Sequence, residues 1–142
     1  MKLIKLFKSK GHILTKIELV IYLASFLGAF YNHASDLVNC GLFPYSRLNP
    51  DVAVWLNIYW TMLTILDPAA IIILFFNIKA GLWCYLAIIV SDAIINFTFA
   101  IGNYGWSAWI NFGQICQLSF MIFVLATFIP IRKTIKSDKN KR

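Results

Sequence analysis

Residues 81–102 read GLWCYLAIIVSDAIINFTFAIG, and the reading of this stretch decides the fold. At about 1.5 Å of rise per residue, a helix of that length crosses a hydrocarbon core about 30 Å thick. Its polar members do not scatter. Tyr85, Asp92 and Asn96 fall on one narrow face at about 100° per residue, and Asn103 continues that face just beyond the stretch. A carboxylate at bilayer depth costs roughly 2.5 to 3.5 kcal/mol on insertion scales, so Asp92 has to look toward an interior, a partner or a cavity.

Three further apolar runs flank it, at residues 17–33, 52–76 and 107–129. The chain of 142 residues is 60% hydrophobic, with a mean hydropathy of +0.72, far outside the balance of a soluble domain. The expected fold is therefore all-α: an integral membrane four-helix up-and-down bundle forming a single domain, with basic tails at residues 1–16 and 131–142. Short links at residues 77–80 and 103–106 make the second, third and fourth runs antiparallel neighbours. The connection 34–51 contains Gly41, Pro44 and Pro50 and reads as a turn-rich outer loop, with Asn49, Pro50 and Asp51 starting the next helix. Leu3, Ile4, Leu6 and Phe7 among lysines suit either a short helix lying on the membrane surface or a loose tail.

The basic residues set the orientation. All but Arg47 of the 13 Lys and Arg fall in the two tails or at Lys79, which places both termini in the cytoplasm by the positive-inside rule. The lysine-rich start followed by apolar residues also has the form of a signal peptide. Glu18 at the edge of the apolar run argues against that reading, as do the three spans it would leave, which put the termini on opposite sides. A net charge of +7 raises nucleic acid as a partner, yet no basic platform lies outside the apolar runs, so the tails are read as solvated and attracted to lipid. Richness in Ile, Asn and Lys points to a bacterial plasma membrane, the inner membrane.

Polar stripes recur on the other three runs. Glu18, Tyr22, Ser25, Asn32, His33 and Asp36 share a face of the first; Asn57, Thr61, Thr64 and Asp67 share one on the second; and the fourth offers Asn111, Gln114 and Gln117 below Ser107. By helical rise, Asp92 and Gln117 stand near the midplane, with Asn96 and Gln114 a little outward. Asp67 lies in the inner half, and the His33 and Asp36 pair at the outer mouth. Glu18 lies at the inner edge, where Lys16, Lys79 or Arg132 can neutralise it. No Lys or Arg lies deep enough to pair with Asp92, so its carboxyl is expected to be protonated or hydrogen-bonded to Asn, Gln or Tyr. Asp67 precedes Pro68, which frees a helical carbonyl and kinks a span. Tyr59 and Trp60 are deep enough to line a pocket, while the other tryptophans suit the interfacial belt.

Several chemistries have no footing. Cys40, Cys84 and Cys116 are spread over different levels, so no disulfide is expected, and there is no CxxC, HExxH, GxSxG or glycine-rich phosphate loop. No catalytic residue, metal site or cofactor is assigned. Three readings remain open. In the first, Asp92 and Asp67 are charge partners for an apolar or cationic amphipathic ligand in an intramembrane pocket, oriented by Asn96, Gln114 and Gln117, with Asn57 and Thr64 beside them. In the second, Asp36, His33, Asp92, Asp67 and Glu18 form a proton or cation pathway. In the third, the stripes only pack helices in a homo- or hetero-oligomer or a regulatory subunit.

The stretch IYWTMLTILDP at residues 58–68, followed by Lys79-Ala80-Gly81-Leu82 and SDAIIN at residues 91–96, resembles small uncharacterised bacterial four-span membrane proteins, which implies no activity. More remotely, four spans, a His33 and Asp36 pair ending the first, an acidic second span and Pro130 before a lysine-rich end resemble the layout of the EXPERA group of sterol isomerases and sigma-2-type receptors. That group holds hydrophobic amines or sterols in an intramembrane pocket with acidic residues. The likeness is one of layout and transfers no catalytic role.

Overall fold

The computed structural model describes residues 2–9, 12–42 and 52–140, and among these every regular element is helical. The expected turns around Pro44 and the helix start at Asn49, Pro50 and Asp51 lie outside the described residues, as does Arg47. The elements are α1 (Lys2–Lys8), α2 (Ile13–Cys40), α3 (Val54–Phe76), α4 (Ile78–Tyr104), a 3₁₀ segment (Gly105–Ile110) and α5 (Phe112–Asn140). The four helices α2 to α5 are long and apolar enough to cross a membrane. Large side chains such as Leu14, Ile65, Ile94 and Ile122 stand exposed along all four, a surface suited to lipid rather than water.

Local chemistry sets where each helix stops. α2 runs past His33 to Cys40 because nothing in Ala34, Ser35 or Asp36 breaks it. It ends at Gly41, whose φ of 79° lies in the left-handed region and whose N–H bonds the Leu37 carbonyl at 2.9 Å. Asn77 alone separates α3 from α4. Its N–H donates to the Ile73 carbonyl at 2.7 Å, and its side chain accepts from the Ala80 N–H, so one residue ends a helix and caps the next. Asn111 similarly caps α5 by accepting from the Gln114 N–H at 3.3 Å. At the far end, α5 continues through Pro130 to Asn140, past the end of the apolar run and into the basic tail. Proline removes one N–H but not the packing that holds the next turn, and Ile131 is fully buried.

Of the two forms expected for the start of the chain, the structure has the short helix, α1, rather than a loose tail. Leu3 and Leu6 are buried in the larger apolar cluster, with α1 packed against α3, while Lys5 and Lys8 are exposed. Its end is tied by Lys16, whose Nζ donates to the Ser9 carbonyl at 2.5 Å.

Two apolar clusters make up the core. The larger joins α1 to α5 through Leu3, Leu19, Tyr22, Phe26, Leu74, Leu82, Tyr85, Val124 and Ile131; the smaller holds Val52, Leu56, Trp60 and Leu63 at the opposite end of α3. Along each long helix the deep polar residues fall beyond the larger cluster: His33 past Phe26, Asp67 between Leu63 and Ala70, Asp92 past Ile89, and Gln117 before Val124. These polar residues therefore form a polar layer at the level between the two clusters, which meet through Ile88.

α3 and α4 come close at Gly81, where a Cβ would collide with the backbone of Leu74. Close backbone approach at small residues is a main source of helix association where both surroundings are apolar. Gly81→Ala is expected to destabilise the protein in detergent by about 1 to 3 kcal/mol, whereas Gly102→Ala, which meets open space, leaves the thermal midpoint unchanged or slightly raised. Melting curves of the two variants check this.

Candidate functional site

One side of the polar layer is a closed hydrogen-bond network across α3, α4 and α5. Asp92 accepts from Gln117 Nε2 through Oδ2 at 2.5 Å and from Asn96 Nδ2 through Oδ1 at 3.1 Å. The same Asn96 amide donates to Gln117 Oε1 at 3.2 Å, and Asn96 Oδ1 accepts from the Trp60 indole N–H at 2.6 Å. Asn96 lies one helical turn beyond Asp92, which brings the two side chains together on α4. Trp60 is positioned by its ring, which packs edge-on against Phe99 with centroids 5.2 Å apart. Each carboxylate oxygen of Asp92 thus already has a donor from an amide, one of the two arrangements the sequence allowed.

The other side is less complete. Asp67 is buried at 2% exposure, and its Oδ2 has no hydrogen-bond partner among the described residues. Among the described residues, His33 Nε2 on α2 lies 4.0 Å from that oxygen. Two more buried oxygens without a hydrogen-bond partner flank this level: Thr64 Oγ1, one turn before Asp67 on α3, and the Tyr85 hydroxyl on α4. Tyr85 lies within electrostatic range of Asp67, and so does Asp92, so the two carboxylates repel one another when both are charged. Pro68 adds a further acceptor by leaving the Thr64 carbonyl without its usual intrahelical donor.

His33 does not stand at the mouth of the bundle. α2 continues beyond it to Cys40, about 10 Å farther along the axis, and the register of α2 on α3 sets His33 level with Asp67. Asp36 lies within electrostatic range of His33. Of the remaining stripe residues, Asn57 is fully buried on α3, whereas Asn32, Asn103 and Asn111 are exposed. Glu18 forms no ion pair with Lys16, Lys79 or Arg132 among the described residues. Gln114 stands apart from the Asp92 network: its Oε1 is buried without a partner beside a half-open cavity of about 310 Å³ lined by Ala100, Tyr104 and Asn111.

Below the polar layer the interior is aromatic. Tyr22 stacks on Tyr85 with centroids 5.5 Å apart, Phe26 lies 3.8 Å from the Tyr85 ring, and Phe120 and Phe123 meet Tyr22 edge-on. The Tyr22 hydroxyl donates to the Val124 carbonyl at 3.1 Å and pairs with Thr127. Periodicity pointed to Tyr22 and Tyr85 but not to Thr127. Ser91 was also missed; it meets the Tyr59 hydroxyl at 2.8 Å, and a lone serine next to an aspartate carries no distinguishing pattern. No group of three or more His, Cys, Asp or Glu able to hold a metal ion occurs among the described residues, and Cys40, Cys84 and Cys116 are unbridged.

Compared with known protein families, curated proteins and solved structures, the chain matches none. The four apolar helices are those of a small multi-pass membrane protein, and no residue role is taken from another protein.

The contrast between Gln117 and Gln114 can be measured. Gln117→Leu strips a donor from a carboxylate inside the helix layer and is expected to cost about 1 to 3 kcal/mol. Gln114→Leu removes an acceptor that has no partner and is expected to be neutral or stabilising. Unfolding of both variants in a mixed-detergent titration checks the difference.

Proposed function

We propose that this protein crosses a bacterial plasma membrane four times, up and down, with both termini cytoplasmic, and binds an apolar or cationic amphipathic ligand within the helix layer. Asp67 is the primary charge partner. His33, Thr64 and Tyr85 complete the ligand's surroundings, and Asp92, held by Asn96 and Gln117, adds a second negative centre nearby.

The observation that carries this reading is the buried Asp67 Oδ2, without a hydrogen-bond partner among the described residues. A carboxylate oxygen in that position is costly to leave unpaired, and no lysine or arginine occurs between Lys79 and Arg132 or, apart from Arg47, between Lys16 and Lys79. A protonated amine on an apolar body supplies both the donor and the charge. The exposed apolar flanks of α2 and α3 suit entry from the bilayer.

The proton-pathway reading has one observation in its favour, the succession of Asp36, His33 and Asp67 from α2 to α3. Tyr22, Phe26, Tyr85, Phe120 and Phe123 belong to the packed apolar cluster on the far side of Asp67 from Leu63. A packed aromatic cluster there favours binding over conduction.

Titration of the purified protein in neutral detergent with a hydrophobic tertiary amine tests the assignment. Asp67→Asn is expected to weaken binding about ten- to a hundredfold, the worth of a charge-assisted hydrogen bond of about 1.5 to 3 kcal/mol. Equal affinity of wild type and variant rules out Asp67 as the charge partner. A proton flux into liposomes that is lost in the same variant transfers the assignment to the pathway reading.

A further inference from the structure

Arg132, on the last apolar turn of α5, is stacked on two aromatic rings and has no acidic partner among the described residues. Its guanidinium carbon lies 5.2 Å from the Trp83 ring centroid and 5.3 Å from that of Phe128, and the two rings pack edge-on with centroids 4.7 Å apart. Stacking on two rings fixes the plane of an arginine while leaving its N–H edges available for a bidentate acceptor. Among the described residues no carboxylate pairs with Arg132, Lys79, Lys133 or Lys136.

Helical spacing gathers these charges on one seam. Lys79 precedes Trp83 by one turn on α4, and Lys136 follows Arg132 by one turn on α5, so both cations lie in line with the stacked pair. Lys79, Lys136 and the Trp83 ring are exposed. Lys5 and Lys8 on α1 add further exposed cations, on a helix whose Leu3 and Leu6 belong to the same apolar cluster as Ile131. Leu125 and Ile129 expose an apolar surface next to this basic seam.

We propose that the seam between α4 and α5 binds the phosphodiester headgroup of an anionic phospholipid, with Arg132 as the bidentate donor and Lys79 and Lys136 as flanking charges. A preoriented guanidinium, an exposed indole at its back, two lysines and adjoining apolar surface match a molecule with an anionic phosphate attached to acyl chains. Free phosphate satisfies only the charged half of that surface. This assignment is independent of Asp67 and its ligand.

Native mass spectrometry of the full chain, with phosphatidylglycerol and phosphatidylcholine of identical acyl chains titrated into the detergent, reads the preference directly. Wild type is expected to retain phosphatidylglycerol selectively. Arg132→Ala is expected to lose that selectivity, and Lys79→Gln with Lys136→Gln to weaken it roughly fivefold per charge removed. Arg132→Lys keeps the charge but not the planar stack, and is expected to fall between wild type and the alanine variant, which separates lost recognition from lost folding. Equal retention of the two lipids by wild type overturns the proposal, as does selectivity that survives in Arg132→Ala. Displacement of the lipid by millimolar inorganic phosphate overturns it in favour of a free-phosphate site.

Discussion

A carboxyl group enclosed by apolar helices cannot turn to water, so its partners must come from side chains on neighbouring helices. Asp67 and Asp92 both face this constraint, and the arrangement of α2 to α5 around them follows from it. Asp92 meets it almost entirely within the protein, through Asn96 on its own helix and Gln117 across the interface with α5. Asp67 meets it only in part, with His33 at 4.0 Å and one oxygen left without a hydrogen bond. Two acidic residues of the same type, within electrostatic range of each other, thus occupy different chemical situations.

The apolar clusters determine how far that difference can relax. The larger cluster packs α1, α2, α3, α4 and α5 together on one side of the polar layer, and Val52, Leu56, Trp60 and Leu63 close the other. Interdigitated side chains of this kind do not slide to rescue one oxygen, because moving a helix along its axis disturbs every contact in both clusters. Gly81 adds a steric stop by bringing the α4 backbone against Leu74. The incomplete pairing at Asp67 is thereby held in place, a condition for a site that recognises something from outside.

The faces of the helices could be read from the sequence, whereas their axial register could not. Periodicity put Tyr22 and His33 on one face of α2, Asp67 on one face of α3, and Tyr85, Asp92 and Asn96 on one face of α4, and these residues do turn toward neighbouring helices. The level of each residue was inferred from span centres. That inference put His33 at the mouth and Asp67 in the inner half, yet the two meet. The cause is the length of α2: the apolar run weakens at His33, but the helix persists until Gly41, because polarity does not end a helix and a left-handed glycine does. Asn32 shows the converse error. Counted in the inward stripe, it lies at the stripe's edge and ends exposed. The fourth apolar run ends at residue 129, yet α5 passes through Pro130 into the basic tail, with Ile131 buried.

The central claim is that the unsatisfied oxygen of Asp67 belongs to a ligand site inside the helix layer. Purifying wild-type protein from its membrane in mild detergent, then comparing its mass under native and denaturing conditions, tests this most directly. A small amphipathic cation is expected to accompany the native protein and to be released on unfolding. Protein that carries no such molecule, or carries only another polypeptide, contradicts it.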